Sequence, residues 1–196
     1  MANISTFTNS LDGNPIKQVS EFTYLGVIMD KSLSWTSHIN YISERVAKRL
    51  CMLRRIRSNI SGNTADIVYK SFILPIMDYC DVVWDNCGKI NSTQLEKLQR
   101  KALRLIIKTT SSDVALANLA YDALEHRREL HILKLVRKCI SNRSTQLLNN
   151  YFMYNRDIKS RITRQSNLLY LPKVRLESTK KAFYYHGSVI FNNNVT

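Results

Sequence analysis

Residues 93–108 read Thr93-Gln94-Leu95-Glu96-Lys97-Leu98-Gln99-Arg100-Lys101-Ala102-Leu103-Arg104-Leu105-Ile106-Ile107-Lys108. Leu95, Leu98, Ala102 and Leu105 recur at steps of three or four, the period of one helix face. Lys97, Arg100, Lys101, Arg104 and Lys108 keep the same period on the opposite face, so one helix carries an aliphatic stripe and a cationic stripe. Thr93 and Glu96 have the spacing of a capping box, which predicts that the helix begins at Thr93. Gly88-Lys89-Ile90-Asn91 before it reads as a loop.

The segments on either side are also helical. Ile39, Ile42, Val46, Leu50, Leu53, Ile56 and Ile60 form a first stripe, with Ser34 or Thr36 as its expected cap. Gly62-Asn63-Thr64 interrupts the pattern. A second helix is expected over residues 65–84, with Val68, Phe72, Ile76, Tyr79 and Val83 along one stripe. It is apolar nearly all round, which marks it as the central buried helix, and Pro75 should kink or split it. Past Lys108, a linker at 109–113 leads to a short helix with Ala115, Leu116 and Leu119. A last long helix is expected over 123–142, carrying Leu124, Leu130, Leu133, Val136 and Ile140.

Both ends differ from this middle. Asp12-Gly13-Asn14-Pro15 is a turn signal, and Ile16, Val19, Phe22, Tyr24, Leu25, Val27 and Ile28 form a β-rich run broken at Gly26. A hairpin followed by a short strand is expected. Beyond Asn142 the chain is polar, with apolar islands at 168–171 and 183–191. The expected fold is therefore mainly α: a small helical bundle with an N-terminal β-hairpin and a loosely structured C-terminal tail. The segments divide as 1–35 (hairpin and strand), 36–142 (basic helical bundle) and 143–196 (partly ordered tail).

Composition narrows the function. Of 196 residues, 29 are Lys or Arg and 15 are Asp or Glu, a net charge of +14 with a pI near 9.8. A chain this basic, with a hydrophobic share of 44 % that is enough for a core, points to a polyanionic partner, with nucleic acid the foremost candidate. The sequence contains no apolar run long enough to cross a membrane, and Met1-Ala-Asn-Ile-Ser-Thr-Phe-Thr is unlike a signal peptide; an intracellular protein without a membrane partner is expected. Cys51, Cys80, Cys87 and Cys139 are scattered inside apolar segments and read as free, packed thiols. His126 and His131 do not share a helix face, so the chain's own spacings offer no metal site.

Charge is unevenly distributed. Residues 1–42 are close to neutral. The first helix then carries Arg45, Lys48, Arg49, Arg54, Arg55 and Arg57, the next basic helix runs from Lys97 to Lys108, and the last adds Arg127, Arg128, Lys134, Arg137 and Lys138. Like charges one turn apart repel by a few tenths of a kcal/mol per pair. A phosphate backbone alongside would offset that cost, and such contacts bind without reading sequence. The bland alternative is a solvated outer face of a bundle. Asp78, Asp81 and Asp85 are spaced to share a helix face, but helix capping or pairing with a neighbouring arginine explains them better than metal binding. Hydrolase, zinc-protease and P-loop signatures are missing from the sequence.

Several blocks, in order, resemble one family. Phe22-Thr23-Tyr24-Leu25-Gly26-Val27-Ile28-Met29-Asp30, then Leu33-Ser34-Trp35 and His38-Ile39, resembles a signature of non-LTR (LINE, jockey-like) retrotransposon reverse transcriptases. Leu53-Arg54-Arg55-Ile56-Arg57, Tyr69 to Pro75 with Asp78-Tyr79-Cys80 and Val83-Trp84, Leu95 to Arg104, and Leu124-Glu125-His126-Arg127-Arg128 are similar to the blocks that follow it. Phe183-Tyr184-Tyr185-His186-Gly187 is similar to the family's terminal motif, although Phe191 stands where tryptophan is usual. The resemblance implies the thumb and post-palm region. Tyr24, Leu25 and Gly26 would be a primer grip, and Arg45, Lys48, Arg49, Arg55, Lys97, Arg100, Lys101, Arg104 and Lys108 would contact RNA, DNA or an RNA–DNA hybrid.

In that family the catalytic Ala-Asp-Asp motif, which holds Mg2+, precedes this region, and no Ala-Asp-Asp occurs in the sequence. The expectation is a fragment that is no enzyme alone, carries no catalytic residue, metal or cofactor of its own, and is served by the palm and fingers of its parent polymerase. A host-retained nucleic-acid-binding protein without polymerase function, or a structural helical bundle, remain the alternatives.

Overall fold

A computed structural model describes residues 10–109, 121–158 and 163–195. The short helix expected around Ala115, Leu116 and Leu119 lies outside the described residues. The described chain is mainly α. Two small antiparallel hairpins come first: β1 (Ser10–Leu11) with β2 (Asn14–Pro15), and β3 (Glu21–Tyr24) with β4 (Val27–Asp30). The residue pattern predicts only a strand for the second hairpin, because Leu25 is not a turn-favouring residue, whereas the family resemblance implies a hairpin through Tyr24–Gly26, and its turn is indeed Leu25-Gly26. The φ of Leu25 is 46° and that of Gly26 is 80°. A two-residue hairpin turn of this kind needs both central residues left-handed.

Asp30 organises the step from sheet to helix. Its carboxylate accepts the backbone N–H groups of Ser32, Ser34 and Trp35 and the hydroxyls of Ser32 and Ser34. These donors, Ser32 foremost, hold the Asp30 carboxyl well below the usual carboxylate range. The turn puts Trp35 at φ 64°, and α1 (Thr36–Ile56) starts directly after it with no side-chain cap bond. Ser34, one of the two expected caps, still accepts the Thr36 N–H at 3.3 Å, but the N-cap position is Trp35 and its anchor is the aspartate five residues upstream.

The first stripe packs as expected from Ile39 to Leu53, whereas Ile56 faces solvent. The second expected helix is divided more than Pro75 alone requires. α2 (Gly62–Val68) passes into a π-helical turn (Tyr69–Ile73), then α3 (Leu74–Asp78) and, after left-handed Cys80, α4 (Asp81–Trp84). A π-turn takes up one extra residue and shifts the phase of everything beyond it. The buried line is consequently Ala65, Tyr69, Ile73, Met77 and Trp84, while Phe72, Tyr79 and Val83 are exposed.

α5 (Lys89–Ile107) begins four residues before Thr93. Thr93 is no cap: its hydroxyl donates to the Lys89 carbonyl. Glu96 serves elsewhere, accepting the N–H of Leu124. The buried amide of Asn91 fixes the early start, donating to the carbonyls of Ser34 and Cys87. Side-chain contacts show α1 and α5 lying parallel: Gln94 reaches Asn40 and Ser43, and Arg57 reaches the carbonyls of Leu105 and Ile106.

α6 (Leu124–Ile140) carries the second half of the core. Ile132, Leu133, Val136 and Cys139 pack with Phe152, Leu169, Ile190 and Phe191 from the C-terminal segment. That segment contains α7 (Gln146–Asn149), α8 (Asn155–Ile158), α9 (Glu177–Lys180) and α10 (Phe183–Asn193). A Cβ on Gly187 would lie 2.9 Å from the Val136 side chain, so glycine allows α10 to close on α6. Cys87 and Cys139 are buried, as packed thiols should be, but Cys51 faces solvent.

Candidate nucleic-acid interface

The cationic stripe of α5 forms a real ridge. Lys97, Arg100, Lys101 and Lys108 are exposed and Arg104 is half-buried, opposite buried Leu95, Ala102, Leu103 and Ile106. Among the described residues only Arg100 of these five meets an acid, Glu96, at 3.8 Å. Lys97 and Arg100 also border a cleft of about 750 Å³ between α5, the start of α6 and the α9–α10 segment. Its remaining walls mix cations such as Lys180 and Lys181 with the acids Glu125 and Glu129.

The cations of α1 do not form one surface. Lys48 and Arg55, two turns apart, are exposed on the helix face pointing away from the core. Arg45 and Arg49 project from a different flank. The Arg45 guanidinium lies 5.4 Å from the Tyr41 ring centroid, and that of Arg49 lies 4.0 Å over Phe72 and donates to the Phe72 carbonyl. Arg57 leaves the surface altogether. Its guanidinium donates to the carbonyls of Ile60, Leu105 and Ile106 at 2.7–2.8 Å. It therefore caps the C-terminal end of α5, where orphan carbonyls favour a cation.

The third basic helix is corrected in the same way. Lys134, Arg137 and Lys138 of α6 are exposed, but Arg127 and Arg128 face inward to the aspartates. Arg127 grips both oxygens of Asp78 at 2.8–3.0 Å. Arg128 donates to Asp85 at 2.8 Å and to Ser92. His186 completes the Asp85 site at 3.2 Å, and His131 bonds Asp81 at 2.5 Å. Two of the three aspartates, Asp78 and Asp85, thus pair with arginines as expected, whereas Asp81 pairs with His131, and Asp85 also with His186, histidines that sequence spacing did not single out. Each histidine comes from another element, α6 or α10, so no local pattern could have shown the pairing. Asp78, Asp81 and His131 offer ligand atoms within 4.8 Å of one another. The Arg127 guanidinium on Asp78 already supplies the cation there.

Burial raises the Asp81 carboxyl despite its bond to His131. Burial also pushes Asp85 upward, but His186 and Arg128 outweigh it and leave the carboxyl below its ordinary value. The Asp85 carboxylate in turn raises His186 above 6.5. A histidine with a raised folded-state value stabilises fully below its unfolded value, and the stabilisation is lost as pH rises through the folded-state value. The melting-temperature advantage of the wild-type chain over His186→Gln is therefore expected at about pH 6 and should shrink towards about pH 8.5. A difference constant across that interval would show that His186 contributes packing and not charge.

The hairpin tip is held from the helical side. The Tyr79 hydroxyl donates to the Leu25 carbonyl at 2.8 Å, and the Tyr79 ring lies 3.5 Å from where a Gly26 Cβ would be. Tyr24 and Leu25 remain exposed. Behind the tip, buried His38 accepts the Ile28 N–H through Nδ1, and burial lowers its basicity. Gln99, which the family-like block contained but to which no role was given, is buried on α5 between the Tyr69 hydroxyl and the Asp122 carbonyl.

Sequence comparison supplies relatives. The chain is 29 % identical over 99 residues to a probable RNA-directed DNA polymerase from transposon BS of Drosophila melanogaster, covering 49 % of this chain and 11 % of that protein. It is 28 % identical over 112 residues to the RNA-directed DNA polymerase from mobile element jockey of Drosophila funebris, covering 52 % and 12 %. A probable RNA-directed DNA polymerase from the X-element transposon of Drosophila melanogaster matches at 26 % over 129 residues, covering 60 % and 14 %. No family model matches the chain. No solved structure matches it. The matched part is thus between about a tenth and a seventh of the length of these relatives. Along about half of its length the chain is similar to a region of the RNA-directed DNA polymerases of non-LTR retrotransposons.

Proposed function

We propose that this chain is a piece of a non-LTR retrotransposon reverse transcriptase and acts as its thumb-like grip, holding template–primer or RNA–DNA duplex through phosphates. The observation that carries the proposal is the α5 ridge: five cations on one helix face, four of them without an acid in reach among the described residues. Lys48 and Arg55 on the neighbouring parallel helix extend the positive surface, while Arg45 and Arg49 belong to its flank. Tyr24, Leu25 and Gly26 would sit at the primer end, presented by a hairpin that Tyr79 latches.

Nucleotidyl transfer would belong to other parts of such a polymerase. The clustered acids of this chain are committed to Arg127, Arg128, His131 and His186, so they do not fit a pair of Mg2+ ions, and the sequence has no Ala-Asp-Asp. The same surface would also serve a nucleic-acid-binding protein retained without polymerase function.

Titrating the purified chain with an RNA–DNA hybrid over a range of salt concentrations tests the proposal. Each neutralised phosphate releases counterions, so engagement of the five α5 cations gives a slope of about −4 in log affinity against log salt. A slope near zero would mean that the charge only solvates a structural bundle.

A further inference from the structure

The C-terminal segment holds a second basic surface of a different kind. Residues 143–196 contain nine Lys or Arg against two acids, Asp157 and Glu177; nine minus two leaves +7, half of the whole chain's +14. Half of the ten tyrosines lie there too: Tyr151, Tyr154, Tyr170, Tyr184 and Tyr185.

The local backbone sorts these aromatics by face. Tyr154 and Leu169 form an antiparallel bridge, and the Tyr170 N–H donates to the Met153 carbonyl at 2.8 Å. Side chains alternate along such a pairing. Phe152 and Leu169 accordingly enter the core, while Tyr151, Met153 and Tyr170 stay outside at 52, 49 and 38 % exposure. The Tyr151 ring is stacked on Tyr184 at 5.9 Å with 20° between planes. The extent of its exposure shows that this stack leaves much of Tyr151 open. The Arg156 guanidinium lies 4.5 Å over the Tyr154 ring, and exposed Lys173 and Arg175 lie in the irregular segment beyond Tyr170.

The backbone of the shelf is pinned at Leu169. One amide, Asn192 of α10, holds both backbone groups of Leu169: its Oδ1 accepts the N–H at 2.8 Å and its Nδ2 donates to the carbonyl at 3.0 Å. Exposed tyrosines on a fixed backbone, with Lys173 and Arg175 following and Asp157 taken up by Arg156 at 3.8 Å, suit flat π-faces joined by phosphates. That ligand is a nucleic acid with unpaired bases. A duplex hides its base faces in the stack and would use only the charge.

We infer that the Tyr151–Met153–Tyr170 shelf binds single-stranded nucleic acid by stacking bases on tyrosine, with Lys173 and Arg175 neutralising the backbone. This site is separate from the α5 ridge and does not depend on the duplex-binding role proposed for it. The test uses the full chain and a fluorescently labelled oligo(dT) of about fifteen nucleotides, with an RNA–DNA hybrid as the parallel probe. In the double variant Tyr151→Ala/Tyr170→Ala, oligo(dT) affinity is expected to fall about tenfold or more, the stacking loss of one to two bases. Tyr151→Phe/Tyr170→Phe keeps the π-faces and should restore it. Hybrid affinity should stay unchanged in both.

Three outcomes overturn the inference. One is equal oligo(dT) affinity in the wild-type and alanine chains; another is failure of the phenylalanine pair to restore binding while its melting curve matches wild type. The third is displacement of oligo(dT) by anionic phosphatidylserine vesicles but not by unlabelled poly(dT), which would make the surface a membrane contact. Loss of hybrid binding on α5 charge reversal with oligo(dT) binding retained would support two independent sites. Loss of both together would overturn their separation.

Discussion

Replacing Arg128 with leucine is expected to destabilise the protein by about 3–5 kcal/mol, the cost of leaving a buried charge without its partner. The Arg128 side chain is 4 % exposed and that of Asp85 13 %, so water cannot take over the guanidinium's place. The same arginine donates to Ser92 on α5 and lies over the Trp84 ring, and its loss therefore loosens α4, α5 and α6 together. Denaturant titration of the variant measures the loss. A second variant, Arg128→Leu with Asp85→Leu, should recover much of the stability, because removing both charges ends the uncompensated burial. A single-variant loss under about 1 kcal/mol would show that Asp85 is satisfied by His186 alone. Arg127→Leu should cost less, since Arg127 and Asp78 are both more exposed.

The second large effect is on binding. Reversing Lys97, Arg100, Lys101 and Arg104 to glutamate together should weaken RNA–DNA hybrid binding by about a hundredfold or more at roughly 0.1 M salt, because four attractive phosphate contacts become repulsive. The fold should tolerate the change. Three of the four side chains are exposed and the apolar face of α5 is untouched, and the repulsion among glutamates one turn apart replaces that among the cations at about a few tenths of a kcal/mol per pair. Fluorescence anisotropy reads the affinity and circular dichroism the fold. Unchanged affinity in a folded variant would remove the ridge from the interface.

Periodicity made α1, α5 and α6 legible, because their stripes are long and regular; Ile39 to Leu53 and Leu95 to Ala102 pack as their spacing dictates. It failed from Val68 to Val83. The π-turn at Tyr69–Ile73 carries no residue signature of its own, and it moved Phe72, Tyr79 and Val83 out of the core. Local cap patterns also misled. Thr93 and Glu96 have capping-box spacing, but a tertiary anchor at Asn91 began the helix earlier. Charge counting found the α5 ridge and overcounted elsewhere: Arg57, Arg127 and Arg128 look like surface cations in sequence, yet each turns to a carbonyl or carboxylate supplied by a distant segment. Partners some fifty residues away leave no trace in a helical wheel.

The side-by-side, same-direction placement of α1 and α5 also bears on how fast the chain can fold. Two helices that run the same way cannot be joined by a tight corner, and here everything from residue 57 to residue 88 serves as the return path. Docking Gln94 on Asn40 or Arg57 on Ile106 therefore closes a loop of roughly fifty residues before any reward is collected. A high mean sequence separation of contacts slows the search, so refolding in stopped flow should be slower than for an up-and-down bundle of equal helix content.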